Sequence, residues 1–214
     1  MFEIGRIRFR ALTKDDLSFL EKWENSFQVT LYARAQPLVF KNTQDIREEF
    51  EEYMENDDKQ EFILEKKKDD KKIGIATYKD RSNSVKNANI GTYIGELEEW
   101  DKGIGREITL GLCEILFFQK NYDRLSARSA SFNKRAQTIL EDVGFKKTGR
   151  ARKSGYVFGK RIDWVMFDIL REEYMPKRQE LLEEILGEKK EEYVKNTCKI
   201  RVEAVEERKN YSVS

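Results

Sequence analysis

Histidine is absent from this 214-residue chain, and with it go the commonest general base, the commonest metal ligand and any Ser-His or Cys-His nucleophile pair. Hydrolase chemistry of those kinds loses its equipment. Only 2 cysteines are present. Cys113 and Cys198 stand far apart, without the spacing of a zinc site or a disulfide framework, so no metal is expected and Cys113 reads as core. No apolar run approaches the roughly 20 residues that cross a bilayer, and the opening MFEIGRIRFR lacks a signal peptide's apolar segment. A cytoplasmic protein without membrane contact is the expectation. A net charge is missing too: 41 Lys and Arg against 40 Asp and Glu leave +1, too weak a field to argue for nucleic acid as a general partner. Abundant Lys and Glu beside scarce His, Pro and Gln is the balance of proteins from hot environments, where ion-pair networks gain value, so a thermostable chain is expected.

What is present concentrates in residues 89–120, NIGTYIGELEEWDKGIGREITLGLCEILFFQK, where a strand-like run, a glycine-punctuated turn and an amphipathic helix follow without a break. Gly103 and Gly105 can bring backbone close to a ligand, leaving amide N–H groups outward. Ile104, Ile108, Leu112, Ile115 and Leu116 then recur at helical spacing, which puts the turn at the positive end of a helix dipole. Both effects suit an anion such as a phosphate. The turn lacks the three glycines of the dinucleotide fingerprint and the Gly-Lys-Ser/Thr ending of a P-loop. By itself, Gly-x-Gly before a helix also fits an ordinary loop.

Along the rest of the chain, residues 4–9 read as a strand, and Thr13 can cap a helix with Leu17, Leu20 and Trp23 on one face. A second helix is expected over 43–54, burying Ile46, Phe50 and Tyr53. Its acidic run, Glu48, Glu49, Glu51, Glu52 and Glu55, reads as a solvated face or a lure for a cation. Strands follow at 61–66, 72–80 and 87–95, then the helix after Gly105, a strand at 124–130, a helix opened by Asn133 and closed by Gly144-Phe145, and a final hairpin reaching Leu170. That order predicts an α/β fold with a mixed sheet. Within 146–161, Lys146, Lys147, Arg150, Arg152, Lys153, Lys160 and Arg161 occur with no acidic residue. This segment is either a solvated hairpin, whose charges block edge aggregation, or a site for phosphates, with Tyr156 and Phe158 free to stack on bases or to pack on the sheet. Past Tyr174, Pro176 can start a helix with Leu181, Leu182, Ile185 and Leu186 as a narrow apolar stripe, able to dock on the parent domain or on a second copy in a homodimer. The division expected is 1–174 plus a C-terminal helical appendage over 175–214, whose end (Ile200, Val202, Ala204) is ambiguous between strand and helix.

The series Trp100-Asp101-Lys102-Gly103-Ile104-Gly105, Asn133, Val143-Gly144-Phe145, and Asp163 with Met166 resembles the GNAT superfamily of N-acetyltransferases. The likeness is greatest to its ribosomal-protein and polyamine branch, and it covers roughly residues 4–174. It implies a mostly antiparallel central sheet with helices on both faces, and acetyl-CoA as cosubstrate in a V between the strands at 87–95 and 124–130. Thr92, Tyr93 and Ile94 would meet the pantetheine through main chain. Lys102, Gly103, Ile104, Gly105 and Arg106 would hold the pyrophosphate by N–H groups. Asn133 would hydrogen-bond near the thioester, although it equally fits a plain helix cap. Trp100 matches the ribosomal-protein branch. The superfamily's usual thiolate-protonating positions hold Leu140 and Ala136 here, so neither usual general acid is present.

The activity implied is direct attack of a primary amine on the thioester, the acceptor being a protein N-terminus or a small amine such as a polyamine or amino sugar. A backbone N–H, that of Ile94, could stabilise the oxyanion. The amine must first lose its proton, and Glu96, at the end of the fourth expected strand, is the candidate base acting through water, against the alternative of a surface glutamate. Tyr93 could donate to the thiolate. The rival class is a non-catalytic module that keeps the fold and engages RNA, a ribosome or a protein through the basic hairpin. A CoA-sensing regulatory subunit is a further alternative.

Overall fold

A computed structural model describes residues 1–36, 39–55, 58–82, 85–187, 191 and 193. Cys198 and the ambiguous stretch with Ile200, Val202 and Ala204 lie outside the described residues. The chain forms two compact units, Met1–Pro176 and Lys177–Ser214.

The first unit is built on an eight-stranded sheet in the order β1-β2-β3-β4-β5-β6-β8-β7. Its strands are β1 (Phe2–Ile4), β2 (Ile7–Ala11), β3 (Lys59–Lys66), β4 (Lys72–Ser82), β5 (Asn87–Ile94), β6 (Arg124–Ala130), β7 (Lys146–Val157) and β8 (Lys160–Leu170). All neighbours are antiparallel except β5 and β6. The mixed, mostly antiparallel α/β sheet is the one expected. One expected strand, at 4–9, is corrected: it is a hairpin, because the chain turns at Gly5 and Arg6, with Gly5 at φ +51°, pairing Ile4 with Ile7.

Among the described residues there are six helices: α1 (Leu17–Glu24), α2 (Phe27–Arg34), α3 (Thr43–Met54), α4 (Ile104–Glu114) and α5 (Lys134–Val143), which flank the sheet, and α6 (Arg171–Leu186). Strand alternation sorts them by face. Ile63 and Ile75 pack with Leu12, Leu17, Trp23, Val29, Ile46 and Phe50 under α1–α3. Phe9 and its cross-strand partner Leu64 point the other way, where α4 runs so close that a Cβ on Gly111 would lie 2.6 Å from the Phe9 ring. α3 starts where expected because Asn42 Oδ1 accepts from the N–H groups of Gln44 and Asp45 at 2.8 and 3.1 Å.

Thr13 opens a short turn (Lys14–Asp16) ahead of α1. The Asp16 carboxylate there is fully buried and accepts from Thr13 N and Oγ1, Arg10 and, at 2.9 Å, Lys72 Nζ. The helix over 27–34 was not expected. Its sequence, FQVTLYAR, is rich in aromatic and β-branched residues, so neither propensity nor period marks it. Tertiary packing makes it: Val29 is buried among the α1–α3 cluster, and Leu31 packs against the cluster of Ala35, Ala130, Val157 and Trp164. α6 begins at Arg171 instead of Pro176, and Pro176 lies inside it, forfeiting one backbone bond to the first turn.

Candidate active site

β5 and β6 pair in parallel at only three positions, Asn87–Arg124, Ala88–Leu125 and Asn89–Ser126. Beyond them, residues 90–94 and 127–130 part like the arms of a V. A strand edge without a neighbour presents unpaired main-chain groups. The wedge opens into a cavity of about 250 Å³. Thr92, Tyr93 and Ile94 line one side, the start of α5 (Asn133, Arg135, Ala136 and Ile139) another, and Val29, Tyr32 and Ala33 of the unforeseen α2 a third.

Gly103, Ile104 and Gly105 close the cavity's end. Asp101 and Gly103 both take positive φ, +60° and +78°, which turns the chain sharply into α4. Asp tolerates that region and glycine enters it freely. Helix geometry leaves the N–H groups of Ile104 and Gly105 without a partner inside α4, so the positive end of its dipole faces the cavity. Of the five residues expected to hold the pyrophosphate, three line the cavity. Arg106 N donates to Gly103 O at 3.1 Å, and neither Arg106 nor Lys102 lines the cavity. Trp100 braces the turn from above: its Nε1 donates to Ile94 O at 2.9 Å, fixing the strand end to the turn. Below, the buried Glu99 carboxylate meets Lys66 and Lys102 at 3.0 and 3.2 Å. Burial acts to raise the Glu99 carboxyl, and the two lysines outweigh it, leaving it below the usual carboxylate range.

Asn133 is present in the wall but already occupied. Its Oδ1 accepts from Ala136 N at 3.1 Å and its Nδ2 donates to Tyr32 O at 3.2 Å. It caps α5 and ties that helix to α2. Tyr32 stands edge-on to Trp100 and Phe132, with centroids 5.4 and 5.9 Å apart. Arg135 stacks 5.0 Å from the Trp100 ring centre while pairing with Asp101 at 2.8 Å. Sequence reasoning missed Tyr32 and Arg135. Only their neighbours in space, Trp100 and Asn133, carried a signal.

Glu96 follows the end of β5, as expected, but outside the cavity. Its carboxylate does not line the cavity; it is buried and accepts from Lys22 Nζ at 2.6 and 2.8 Å and from Trp23 Nε1 at 2.9 Å. Those bonds fasten α1 to the end of β5. Tyr93 remains in place. Its ring stands edge-on to Trp23, 6.3 Å between centroids, and it also lines a second cavity of about 100 Å³ with Glu24, Arg34, Glu49, Tyr53 and Glu61. Tyr93 is thus shared by the two cavities. Burial first, then the nearby Glu24 carboxylate, push the Tyr93 hydroxyl well above the ordinary phenol range, so it holds its proton at any working pH. Glu24 is buried and pairs with Arg34 at 2.5 Å and Lys41 at 3.2 Å. Leu140 is buried, as a core residue of α5, and Ala136 faces the cavity, so these two positions offer no acid.

The basic segment is the hairpin of β7 and β8. β7 is exposed from Lys146 to Ser154 and is the sheet's outer strand. Several of its charges are partnered: Arg150 with Asp163 and Lys147 with Glu141, both at 2.6 Å, and Lys146 with Glu173. Phe158 packs against Phe27, 5.5 Å between centroids, and Tyr156 takes Arg161 over its ring at 5.5 Å.

A family model described as an acetyltransferase (GNAT) domain matches residues 6–146. The chain is 24% identical over 169 residues to the SPbeta prophage-derived uncharacterized N-acetyltransferase YokL of Bacillus subtilis, spanning 78% of this chain and 92% of that protein. It is 24% identical over 170 residues to the uncharacterized N-acetyltransferase p20 of Bacillus licheniformis, spanning 79% and 95%. Among solved structures it is similar to spermidine N-acetyltransferase from Vibrio cholerae in complex with CoA and spermine. There the TM-score is 0.74 at 19% identity, covering 79% of this chain and 98% of that one. The wedge, the turn and the helix after it all fall inside the matched residues, and the chain is an N-acetyltransferase of the GNAT family.

Proposed function

We propose that this chain transfers acetyl from acetyl-CoA to a primary amine on a small acceptor, polyamines being the first class to test. The observation that carries this reading is the parting of β5 from β6 after Asn89 and Ser126, above a glycine turn that opens α4. The residues present fit the cosubstrate. An unpaired strand edge over 90–94 suits the amide-rich pantetheine arm, and the N–H groups of Ile104 and Gly105 suit the pyrophosphate. Acetyl-CoA supplies an activated thioester; the chain's part is to hold it, to offer donors where negative charge develops, and to manage two protons.

Of the groups expected to do this, the Ile94 N–H keeps its place on the open arm as an oxyanion donor. Tyr93, on the same arm, is the candidate donor to the departing thiolate, its hydroxyl lying near the Glu24 carboxylate. Glu96 is not part of the reading, because Trp23 and Lys22 hold it. The acceptor class is supported by the Vibrio cholerae enzyme of the same fold, which acts on spermidine. A protein N-terminus is the alternative acceptor within the same chemistry.

The test is to incubate purified protein with acetyl-CoA and a panel of polyamines, amino sugars and peptides, following free thiol and confirming products by mass. Acceptor-dependent thiol release is expected, greatest with polyamines. CoA binding without release across the panel would overturn the enzymatic reading in favour of a binding module.

A further inference from the structure

Arg6 sits at the tip of the β1–β2 hairpin, 96 and 101 residues before the two groups it joins. Its Nε donates to Glu107 Oε1 at 2.7 Å and its backbone N to Glu107 Oε2 at 2.8 Å, while its Nη2 donates to Lys102 O at 2.8 Å. Glu107 lies in the first turn of α4 and is buried. The guanidinium is therefore held in a fixed plane by one partner and aimed at the other. A Cβ built on Gly103 would stand 3.7 Å from Arg6 Nη2, so this fork lies against the very turn that closes the cavity.

In a trans peptide, C=O and N–H point in opposite directions. Drawing the Lys102 carbonyl toward Arg6 therefore turns the Gly103 N–H the other way, and Gly103 lines the cavity. Without the clamp this peptide plane could rotate, because Gly103, at φ +78°, has no side chain to resist. A carbonyl swung toward an anion would repel it.

Resting on the acetyl-CoA reading above, we infer that Arg6 is a positioning residue: paired with Glu107, it takes up the Lys102 carbonyl and so aims the Gly103 N–H at the cosubstrate's pyrophosphate. Its own charge is cancelled by Glu107, so its contribution is orientation. Lysine cannot replace it, since an ammonium lacks the planar fork that serves both partners.

The experiment is titration calorimetry of wild type, Arg6→Lys and the double variant Arg6→Met/Glu107→Leu, with CoA, dephospho-CoA and pantetheine as probes. The double variant removes both partners together, so no buried carboxylate is stranded and folding is preserved. Affinity for CoA and dephospho-CoA, both of which carry the pyrophosphate, is expected to fall about tenfold, and affinity for pantetheine, which lacks it, to hold. An equal fall for all three, or none, would overturn the inference. A fall for CoA alone would overturn it too, by showing direct contact with the 3′-phosphate. If wild type binds no CoA, the cosubstrate reading itself fails, which is a different result from a variant that binds like wild type.

Discussion

Replacing Glu96 separates a catalytic carboxylate from a structural one. Trp23 is fully buried, and its Nε1 has Glu96 as acceptor at 2.9 Å. Glu96→Ala strands that indole N–H in the core, which costs about 1–3 kcal/mol. The Lys22 pair adds little, because the Lys22 side chain is 59% exposed and solvent screens it. The total is about 2 kcal/mol. For a unit of this size that lowers Tm by about 4–8 °C. Glu96→Gln keeps an oxygen for the indole and loses only the charge toward Lys22, so its Tm should stay within about 2 °C. Turnover follows the same logic. With Glu96 held by α1, the Gln variant keeps kcat/KM within about threefold, whereas loss of a general base costs about 10²–10⁴-fold. The assay is thiol release with acetyl-CoA and spermidine beside differential scanning calorimetry. A Gln variant that melts with wild type yet loses a hundredfold in kcat would refute the structural assignment and restore Glu96 as the base.

Tyr93→Phe removes the one proton donor proposed in the cavity wall; kcat should drop about 10²-fold with the KM for acetyl-CoA unchanged, checked by steady-state kinetics at saturating acceptor. Asp16 governs the acid limb of stability. Burial opposes its ionisation, but Arg10, Lys72 and Thr13 overcome it and hold the carboxyl below the usual range. A depressed folded pKa stabilises above the unfolded value and loses that contribution as pH falls, so the loss sets in below about pH 5 and deepens toward strong acid. Asp16→Asn should lower the urea midpoint at pH 7 and flatten its fall between pH 5 and pH 3, and an unchanged slope would count against this account. Neutralising Arg150, Arg152 and Lys153 together should leave turnover intact and reveal no nucleic-acid complex in a salt series, since Arg150 is already paired with Asp163. A complex in wild type that weakens steeply with salt and vanishes in the triple variant would bring back the binding module.

The parts legible in the sequence were those in which local chemistry and tertiary structure agree. β6 and α3 have the limits expected, because alternation marks one and Asn42 caps the other. The glycine turn before α4 was visible because φ is written locally, in Gly103. α2 was not, since its helical state is imposed by the sheet beneath Val29 and Leu31 and opposes its own propensities. Glu96 illustrates the other limit. Its strand-end position was readable, but its partners come from α1, 73 and 74 residues earlier, and no spacing rule connects them. Arg6 is the same case from the opposite side, an undistinguished residue in a hairpin that acquires meaning only when β2 lies beside the rest of the sheet. Asn133 could be read as a helix cap, but its bond to Tyr32 O could not, because that group is supplied by the helix that was missed.

The opened wedge of β5 and β6 bears on how such proteins diverge. Its arms offer peptide groups, which every sequence possesses, and the demand on the genome reduces to keeping two strands apart and one turn bent. In the reading proposed, side chains such as Thr92 and Ile94 can then be exchanged with little penalty to the cosubstrate. Selection is left to act on the surfaces beyond the wedge, so close kin can share a cosubstrate seat while each addresses a different amine.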